Sequence, residues 1–462
     1  MSISLYGLFL LFYVIYIIAK HKRLNIIFDK LFFITLVTTF YIRMGFFVRI
    51  GNNMMTYSSF LIYITGVFSL IIVIKKRVLF NIKAIYMLLF LSCNFFIARF
   101  APYGKEVIVN FDHYLATLTN YIQYNDYYGK IIGVQLGYYF TAVFLIIILQ
   151  CANFFFSKET WKKLFYKNLE VSKIFIAIGF LDCFFVNVLK SNFITDFTIL
   201  LFGSYGAQHN GIYTRGKLAV FQGATQEASM LNFVLFYSLI CWLIAYVKNR
   251  NKHCILWIIL INILLLLNPS LSAIVYLIIE FLILLLGILS KKNNIVQQIK
   301  LGFITLLMIG TGMPLYSYLI SYDGNSYMLK RLSDGLSLLS RMVGLNSIGL
   351  EYSSNSIRLY SISYTLRIFI ERPFWGIGLG NVFCDSGFIS LLVSIGIVGT
   401  TIWMVYILSW IKQKGNKGFY NLAFFVLVYI VPNLFLNSIE CMFLPIIPAI
   451  LVFYRDSNIK QH

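Results

Sequence analysis

The sequence predicts an all-α, polytopic integral membrane protein with about 12–13 transmembrane helices and large non-cytoplasmic loops late in the chain. Of its 462 residues 60% are hydrophobic and 12% charged, whereas soluble proteins carry about 25% charged residues. Apolar stretches of about 20 residues recur throughout, and clusters of basic residues separate them in pairs. No soluble fold of this length could bury so much apolar surface, so residues 1–462 are interpreted as a single transmembrane domain.

The first apolar span, 3–19, is followed at once by KHKR and has no small-residue cleavage site, which is not the pattern of a cleavable signal peptide. Two of the spans are short, and the count becomes about 12 if one of them is re-entrant. The further predicted spans are 25–46, 57–74, 79–98, 131–155, 170–188, 228–247, 254–268, 271–290, 301–320, 387–411, 419–436 and 441–454.

The basic clusters are separated from one another by two spans each, so they all lie on one side of the membrane. An excess of Lys and Arg in short loops makes that side cytoplasmic. This topology accounts for most of the net charge of +21, and nucleic-acid binding is not indicated. The clusters are 20–23, 75–77, 158–167, 248–253, 291–300, 412–417 and 455–460.

The opposite side then receives three long connections, 99–130, 189–227 and 321–386. Loops of this size in a compact protein tend to carry function. The last contains ERPFWGIGLGN, in which Gly376, Gly378 and Gly380 alternate. The string is neither a Rossmann fingerprint nor a nucleotide P-loop. It is either a flexible turn into the next span or a close backbone approach whose N–H groups face an anionic ligand.

Basic residues on this side point to phosphate chemistry. Residues 321–372 hold six Lys/Arg and four Asp/Glu, an excess that topology does not explain. Arg358 and Arg367 lie on a predicted amphipathic helix, nine residues apart and so on opposite faces. Each is either an interfacial arginine that snorkels or a bidentate ligand of phosphate or diphosphate.

The loop 189–227 repeats this theme. Arg215 and Lys217 lie in a Gly-rich stretch, and Glu227 precedes the next span. Glu227 either interacts with the helix dipole or acts as a base, and His209 is a second candidate base.

Carboxylates also occur within spans. Asp182 and Glu280 are predicted to lie deep or towards the cytoplasmic half, away from the outer loops, and to pair with another helix. The seven cysteines and five histidines are dispersed and form no metal or disulfide pattern.

An arginine followed by RPFWGIGLGN and DSGFISLLVSIGIVG occurs in a chain of about a dozen spans with a large outer loop late in the chain. In these features the chain resembles the bacterial O-antigen polymerase and ligase group. The similarity is concentrated at 215–230 and 358–400. Ligases typically carry a histidine-asparagine pair after the glycine motif, whereas this chain has Cys384 and Asp385 there. The closer resemblance is therefore to the O-antigen and capsular polysaccharide polymerases, although Ala228 replaces the proline that is common after their glutamate.

The resemblance implies a membrane glycosyltransferase of the bacterial inner membrane, with its active site facing the periplasm or outside. Its substrate would be an undecaprenyl-diphosphate-linked oligosaccharide, and its partners the lipid bilayer and a chain-length regulator protein. The outer loops contain no acidic metal-binding cluster of the DxD type, so we expect no metal to be needed, and no cofactor is expected. An O-antigen ligase and a lipid-linked oligosaccharide flippase or other transporter remain alternatives.

Site roles follow from the same resemblance. Arg215 and Arg358, with Arg367 as a second candidate, would bind the diphosphate beside the three glycines. Asp385 or Glu227 would act as general base, and direct displacement would invert the anomeric configuration.

Overall fold

The computed structural model describes most of the chain from its first helices to the end of the last long helix. The described residues are 2–42, 45–50, 53–97, 133–203, 214–215, 218–225, 228–249, 251–268, 270–289, 365–366, 368–380, 386–411 and 426–434, with isolated positions at 299, 302 and 362.

The described residues are mostly helical, which confirms the predicted fold class. Among them, five helices (α2, α3, α5, α8 and α11 below) are long and apolar enough to cross a membrane, and five shorter apolar helices accompany these. The protein is therefore a multi-pass membrane protein. The helices are α1 Leu5–Lys20, α2 Leu24–Tyr41, α3 Tyr57–Lys76, α4 Ile82–Ile97, α5 Gly133–Phe155, α6 Lys158–Asn187, α7 Phe193–Phe202, α8 Ala228–Asn249, α9 Lys252–Leu267, α10 Leu271–Leu289, α11 Gly387–Ile411 and, after a π-helix at Val426–Ile430, α12 Val431–Leu434.

Predicted spans 441–454 and nearly all of 301–320 lie outside the described residues, so the total of 12–13 spans stays a prediction. The helix α6 is longer than the predicted span 170–188, because its 30 residues include the basic cluster 158–167. Ser157 caps it by accepting a hydrogen bond from the Thr160 N–H at 3.2 Å. A helix of this length rises about 45 Å, more than the hydrocarbon core of a bilayer.

Two small sheets qualify the prediction of a purely helical chain. The strands β1 Ser2–Ile3, β2 Val48–Ile50 and β3 Asn53–Met55 form an antiparallel sheet in the order β1-β2-β3. This sheet joins the start of α1 to the connection between α2 and α3. The second sheet pairs β4 Thr214–Arg215 with β5 Leu218–Ala219.

Hydrogen bonds between helix termini define two ends of the bundle. At the end that carries the basic clusters, the Asn81 N–H donates to Gln150 Oε1 at 3.1 Å, which joins the start of α4 to the last part of α5. We call this the basic end. At the opposite, distal end, the Phe202 carbonyl accepts from the Phe46 N–H at 3.1 Å and from the Tyr57 hydroxyl at 2.6 Å.

The core is centred on α8, whose buried aromatic and aliphatic side chains contact α6, α9 and α10. Phe40 of α2 and Phe233 both pack their rings against Tyr237. Between α9 and α10, Glu280 Oε1 accepts a hydrogen bond from the Asn262 side chain at 3.3 Å. The predicted pairing of Glu280 with another helix is therefore confirmed. A buried carboxylate needs such partners because no water is at hand to solvate it.

Candidate functional site

The segment 218–225 is a buried part of the loop 189–227 that precedes α8. Its side chains at Ala219, Phe221, Ala224 and Thr225 are almost completely inaccessible to solvent. Connections between helices normally run over the surface, because buried irregular backbone needs a partner for every N–H and C=O group. This segment therefore requires specific hydrogen bonds from the surrounding helices.

Two side chains near the end of α6 supply such bonds. Asn187 accepts from the Ala219 N–H at 2.8 Å and donates to the Ala219 carbonyl at 3.2 Å. Asp182, which is fully buried, accepts at Oδ2 from the N–H groups of Gln222 at 2.9 Å and Gly223 at 2.7 Å. The prediction that Asp182 lies away from the outer loops and pairs with a helix is wrong, because its carboxylate binds the loop backbone.

A further anchor comes from the turn between α9 and α10. The Asn268 side chain donates to the Phe221 carbonyl at 3.4 Å and to Asn232 Oδ1 at 2.9 Å. Asn232 in turn donates to the hydroxyls of Ser270 at 2.6 Å and Ser272 at 3.1 Å. Helix α6 and the turn after α9 thus hold one short segment through polar groups buried at the distal end, and Asn232 of α8 supports Asn268.

This anchored segment is continuous with two of the residues singled out in the sequence. Arg215 pairs with Leu218 in the β4–β5 hairpin, directly before the buried segment, and its side chain lies outside the described residues. Glu227 also lies outside them, between Thr225 and the first residue of α8, Ala228. The backbone at 218–225, which follows Arg215 and precedes Glu227, is therefore fixed to the bundle, and α8 begins directly after Glu227.

The glycine motif forms a second junction at the distal end, because the segment 373–380 fills a break in α11. The helix is interrupted at Gly396, whose φ of 67° and ψ of −176° are not helical. The freed groups pair with the segment: the Ile377 N–H donates to the Val393 carbonyl at 3.0 Å and the Gly378 N–H to the Ser394 carbonyl at 2.8 Å. Beyond the break, the Ile397 N–H donates to the Pro373 carbonyl at 2.8 Å.

Glycine is required at this junction on steric grounds. Positive φ angles, which residues with a Cβ atom disfavour, occur at Gly376, Gly378, Gly380 and Gly396. A Cβ on Gly376 would lie 2.5 Å from the Ser394 carbonyl oxygen. The motif therefore makes a close backbone approach, as its sequence indicates, but to the backbone of α11.

The N–H groups of the motif are largely occupied by the protein itself. Besides Ile377 and Gly378, the Gly376 N–H donates to the Arg372 carbonyl at 3.1 Å and the Leu379 N–H to the Tyr139 hydroxyl at 3.2 Å. These four N–H groups therefore do not support the alternative in which the motif cradles an anion through its backbone.

Asn94 on α4 and Tyr139 on α5 complete this junction, and sequence reasoning missed both. The Asn94 side chain donates to the carbonyls of Trp375 at 2.6 Å and Ser394 at 3.4 Å, and its oxygen accepts from the Tyr139 hydroxyl. An asparagine within the apolar run LLFLSCNFFI was the available signal, since a buried amide in a span needs partners.

The remaining predicted site residues, Arg358, Arg367 and Asp385, lie outside the described residues. Asp385 directly precedes Ser386, which is buried and accepts at Oγ from the Ile389 N–H at 3.4 Å at the start of α11. In the part of the chain that the structure describes, no group of three or more His, Cys, Asp and Glu side chains could hold a metal ion.

Comparison with known proteins adds no further assignment. No protein-family model matches the chain, and no curated protein matches it.

Proposed function

We propose that this protein is a polysaccharide polymerase that joins undecaprenyl-diphosphate-linked oligosaccharide repeat units at the outer face of the inner membrane. The observation that carries the proposal is the anchored segment 218–225, which ties the hairpin of Arg215 to α6 and to the turn between α9 and α10 at the distal end. A connection that merely links two spans can run over the surface and then needs no buried carboxylate or amides to hold it. An arginine that binds a diphosphate at a defined depth needs a fixed backbone, because bidentate recognition depends on position.

The proposed reaction is a direct displacement. The oxygen of an acceptor hydroxyl forms a bond to the anomeric carbon of the growing chain, and the bond from that carbon to the diphosphate oxygen breaks. The leaving diphosphate takes the electron pair, and its negative charge would be stabilised by Arg215 and Arg358. The hydroxyl proton would pass to Asp385 or Glu227 as general base, and the configuration would invert.

A second candidate, a lipid-linked oligosaccharide flippase, draws support from the break in α11. Discontinuous membrane helices are typical of transporters, in which the freed backbone groups bind substrate or ions. Here the freed groups near Gly396 pair with residues 373–378. This pairing leaves less backbone free for a ligand and makes transport the weaker of the two candidates.

The test is polymer synthesis by the purified protein in lipid vesicles supplied with lipid-linked repeat units. We expect Arg215→Ala to lower the rate about 100-fold or more, because charge stabilisation of the leaving group is lost. Arg215→Lys should also be poor, because an ammonium lacks the planar fork of a guanidinium. Lys190→Gln removes one positive charge from the exposed connection after α6 and serves as the control.

Full activity of Arg215→Lys would contradict bidentate binding. Full activity of Arg215→Ala would remove this residue from the site. Movement of the lipid-linked unit across the vesicle membrane without polymer, by the unaltered protein, would favour the flippase.

A further inference from the structure

A cleft of about 330 Å³ lies at the basic end of the bundle, between α1, α2 and α6. It is remote from the distal end, to which the proposed function is confined. Its lining combines two ammonium groups with aromatic and aliphatic side chains, which suits an anion that also has an apolar part. The lining residues are Tyr13, Lys30, Phe33, Ile34, Lys167 and Glu170.

The charge in the cleft is net positive. Glu170 contributes a carboxylate, but Lys173 binds both of its oxygens, at 2.7 and 2.8 Å. Asp29 on α2 is within electrostatic reach of three lysines, Lys167, Lys30 and Lys163. One carboxylate is therefore within electrostatic reach of three ammonium groups, and a negatively charged ligand would be attracted.

Both lysines that line the cleft are oriented by neighbouring groups. The Lys30 ammonium is 2.8 Å from His21 Nε2. Partial desolvation, followed by the charges of Lys30 and Lys20, lowers the pKa of His21, so that the neutral ring can accept from Lys30. The Lys167 ammonium lies over the ring of Phe33, 5.3 Å from its centroid.

One wall of the cleft belongs to α1, which has a buried face and an exposed apolar face. The helix α1 buries Gly7, Leu10, Val14 and Ile17 against the bundle, a spacing that defines one helix face. Its opposite face leaves large apolar side chains exposed, among them Phe9, Phe12, Tyr13 and Tyr16. In a membrane this face contacts acyl chains, and it leads directly to the cleft through Tyr13.

We propose that this cleft binds the phosphodiester headgroup of an anionic phospholipid, with its acyl chains along the exposed face of α1. Basic pockets between transmembrane helices on the cytoplasmic side are suited to anionic headgroups. The ammonium groups of Lys30 and Lys167 contact the phosphate oxygens, and the ring of Tyr13 contacts the first part of the acyl chain.

The test is native mass spectrometry of the full chain in detergent, with phosphatidylglycerol and phosphatidylcholine as the two added lipids. We expect the unaltered protein to retain phosphatidylglycerol preferentially. The double variant Lys30→Gln/Lys167→Gln should bind it about 30-fold more weakly, with phosphatidylcholine retention unchanged. The control Lys22→Gln/Lys75→Gln removes the same charge from exposed positions at the same end and should remain within about twofold of the unaltered protein.

Further measurements distinguish a lipid site from a general loss of fold and from a site for soluble anions. Tyr13→Ser, which keeps both lysines, should also weaken phosphatidylglycerol retention, and the far-ultraviolet circular dichroism of every variant should match that of the unaltered protein. Equal losses in the two double variants, or no loss in either, would overturn the proposal. Displacement of the lipid by millimolar inorganic phosphate would identify a site for soluble anions and overturn it as well.

Discussion

At the scale of single residues, Asp182 is the side chain on which the geometry of the distal end most depends. Its Oδ2 accepts from two backbone N–H groups of a segment that is otherwise irregular. Its Oδ1 has no hydrogen-bond partner among the residues that the structure describes. The carboxylate therefore serves the loop backbone, and through it the placement of Arg215.

We predict that Asp182→Ala lowers the free energy of unfolding by about 3 kcal/mol, because each orphaned buried donor costs about 1–3 kcal/mol. Asp182→Asn should have an intermediate effect, since its amide oxygen can still accept from Gln222 and Gly223. Denaturation of the purified protein in mild detergent measures both. Asp196→Ala, at an exposed position on α7, removes the same charge and should leave stability unchanged.

Polymer synthesis by these variants shows whether Asp182 acts by positioning the loop or takes part in the reaction. If Asp182 acts only through the loop, Asp182→Asn should retain more activity than Asp182→Ala, in step with its stability. Unchanged stability of Asp182→Ala would contradict the anchoring role of this residue.

At the scale of elements, the break in α11 shows how the distal end is assembled. Helix α4 contributes Asn94, α5 contributes Tyr139, and the segment 373–380 supplies backbone that replaces the missing helical hydrogen bonds. Irregular backbone at this depth is tolerated only where the protein itself satisfies its polar groups. The conformation at Gly396 thus depends on three other elements.

We predict that Gly376→Ala and Gly396→Ala impair folding. The added Cβ would lie 2.5 Å from the Ser394 carbonyl in the first variant and 2.5 Å from the Phe374 carbonyl carbon in the second. A positive φ costs an L residue about a further 1–2 kcal/mol. Both variants should give little protein that remains monodisperse in size-exclusion chromatography after extraction.

The matched control is Gly137→Ala on α5. A Cβ there would lie 3.4 Å from the Tyr63 hydroxyl, an ordinary contact, and alanine favours the helix by about 1 kcal/mol. Yields of Gly376→Ala and Gly396→Ala that equal that of Gly137→Ala would contradict the tight junction.

Hydropathy predicted the long apolar helices well, because a membrane demands length and low charge from each of them. It missed the short helix α7, whose ten residues lie within the predicted loop 189–227. Hydropathy also missed the first turns of α6, because the basic residues 158–167 suggest a loop between spans although they form the start of this helix. It also missed β1, because a strand of two residues that pairs with residues 48–49 has no local pattern. The position of Asp182 in its predicted span placed it away from the outer loops, which is wrong. No local sequence pattern indicates that the backbone of residues 222–223 folds back onto its carboxylate.

The candidate site was predictable only in part for a related reason. Alternating glycines at 376, 378 and 380 indicate a close backbone approach, but the partner could be a ligand or another helix. The structure shows that it is α11. The anchors Asn187, Asn232 and Asn268 carry no motif, because their role depends on three helices ending at the same level.

At the scale of the whole molecule, the two ends of the bundle differ in composition and in construction. Among the described residues, the basic end has an ion pair between Lys173 and Glu170, cation–π contacts and exposed lysines. In the part of the distal end that the structure describes, neutral amides, hydroxyls and the buried carboxylate of Asp182 hold irregular backbone in place. Lysines near short loops orient a chain at insertion, whereas the distal junctions take shape only after the helices pack. The orientation therefore rests on the charges alone and can be tested without reference to the reaction.

We predict that the distal end faces away from the cytoplasm. The background carries Cys93→Ser, because that cysteine is exposed, and Cys384→Ser and Cys441→Ser, because these two lie outside the described residues. In this background, Asp196→Cys should react with a membrane-impermeant maleimide added to intact cells. Lys22→Cys should react only after the membrane is permeabilised, since it lies in the turn between α1 and α2 at the basic end. Both positions are exposed, so a lack of reaction cannot be ascribed to burial. The reverse pattern would leave the helix packing intact but would place the hairpin of Arg215 in the cytoplasm, where a leaving group on the outer face could not reach it, and the proposed polymerase would have to be abandoned.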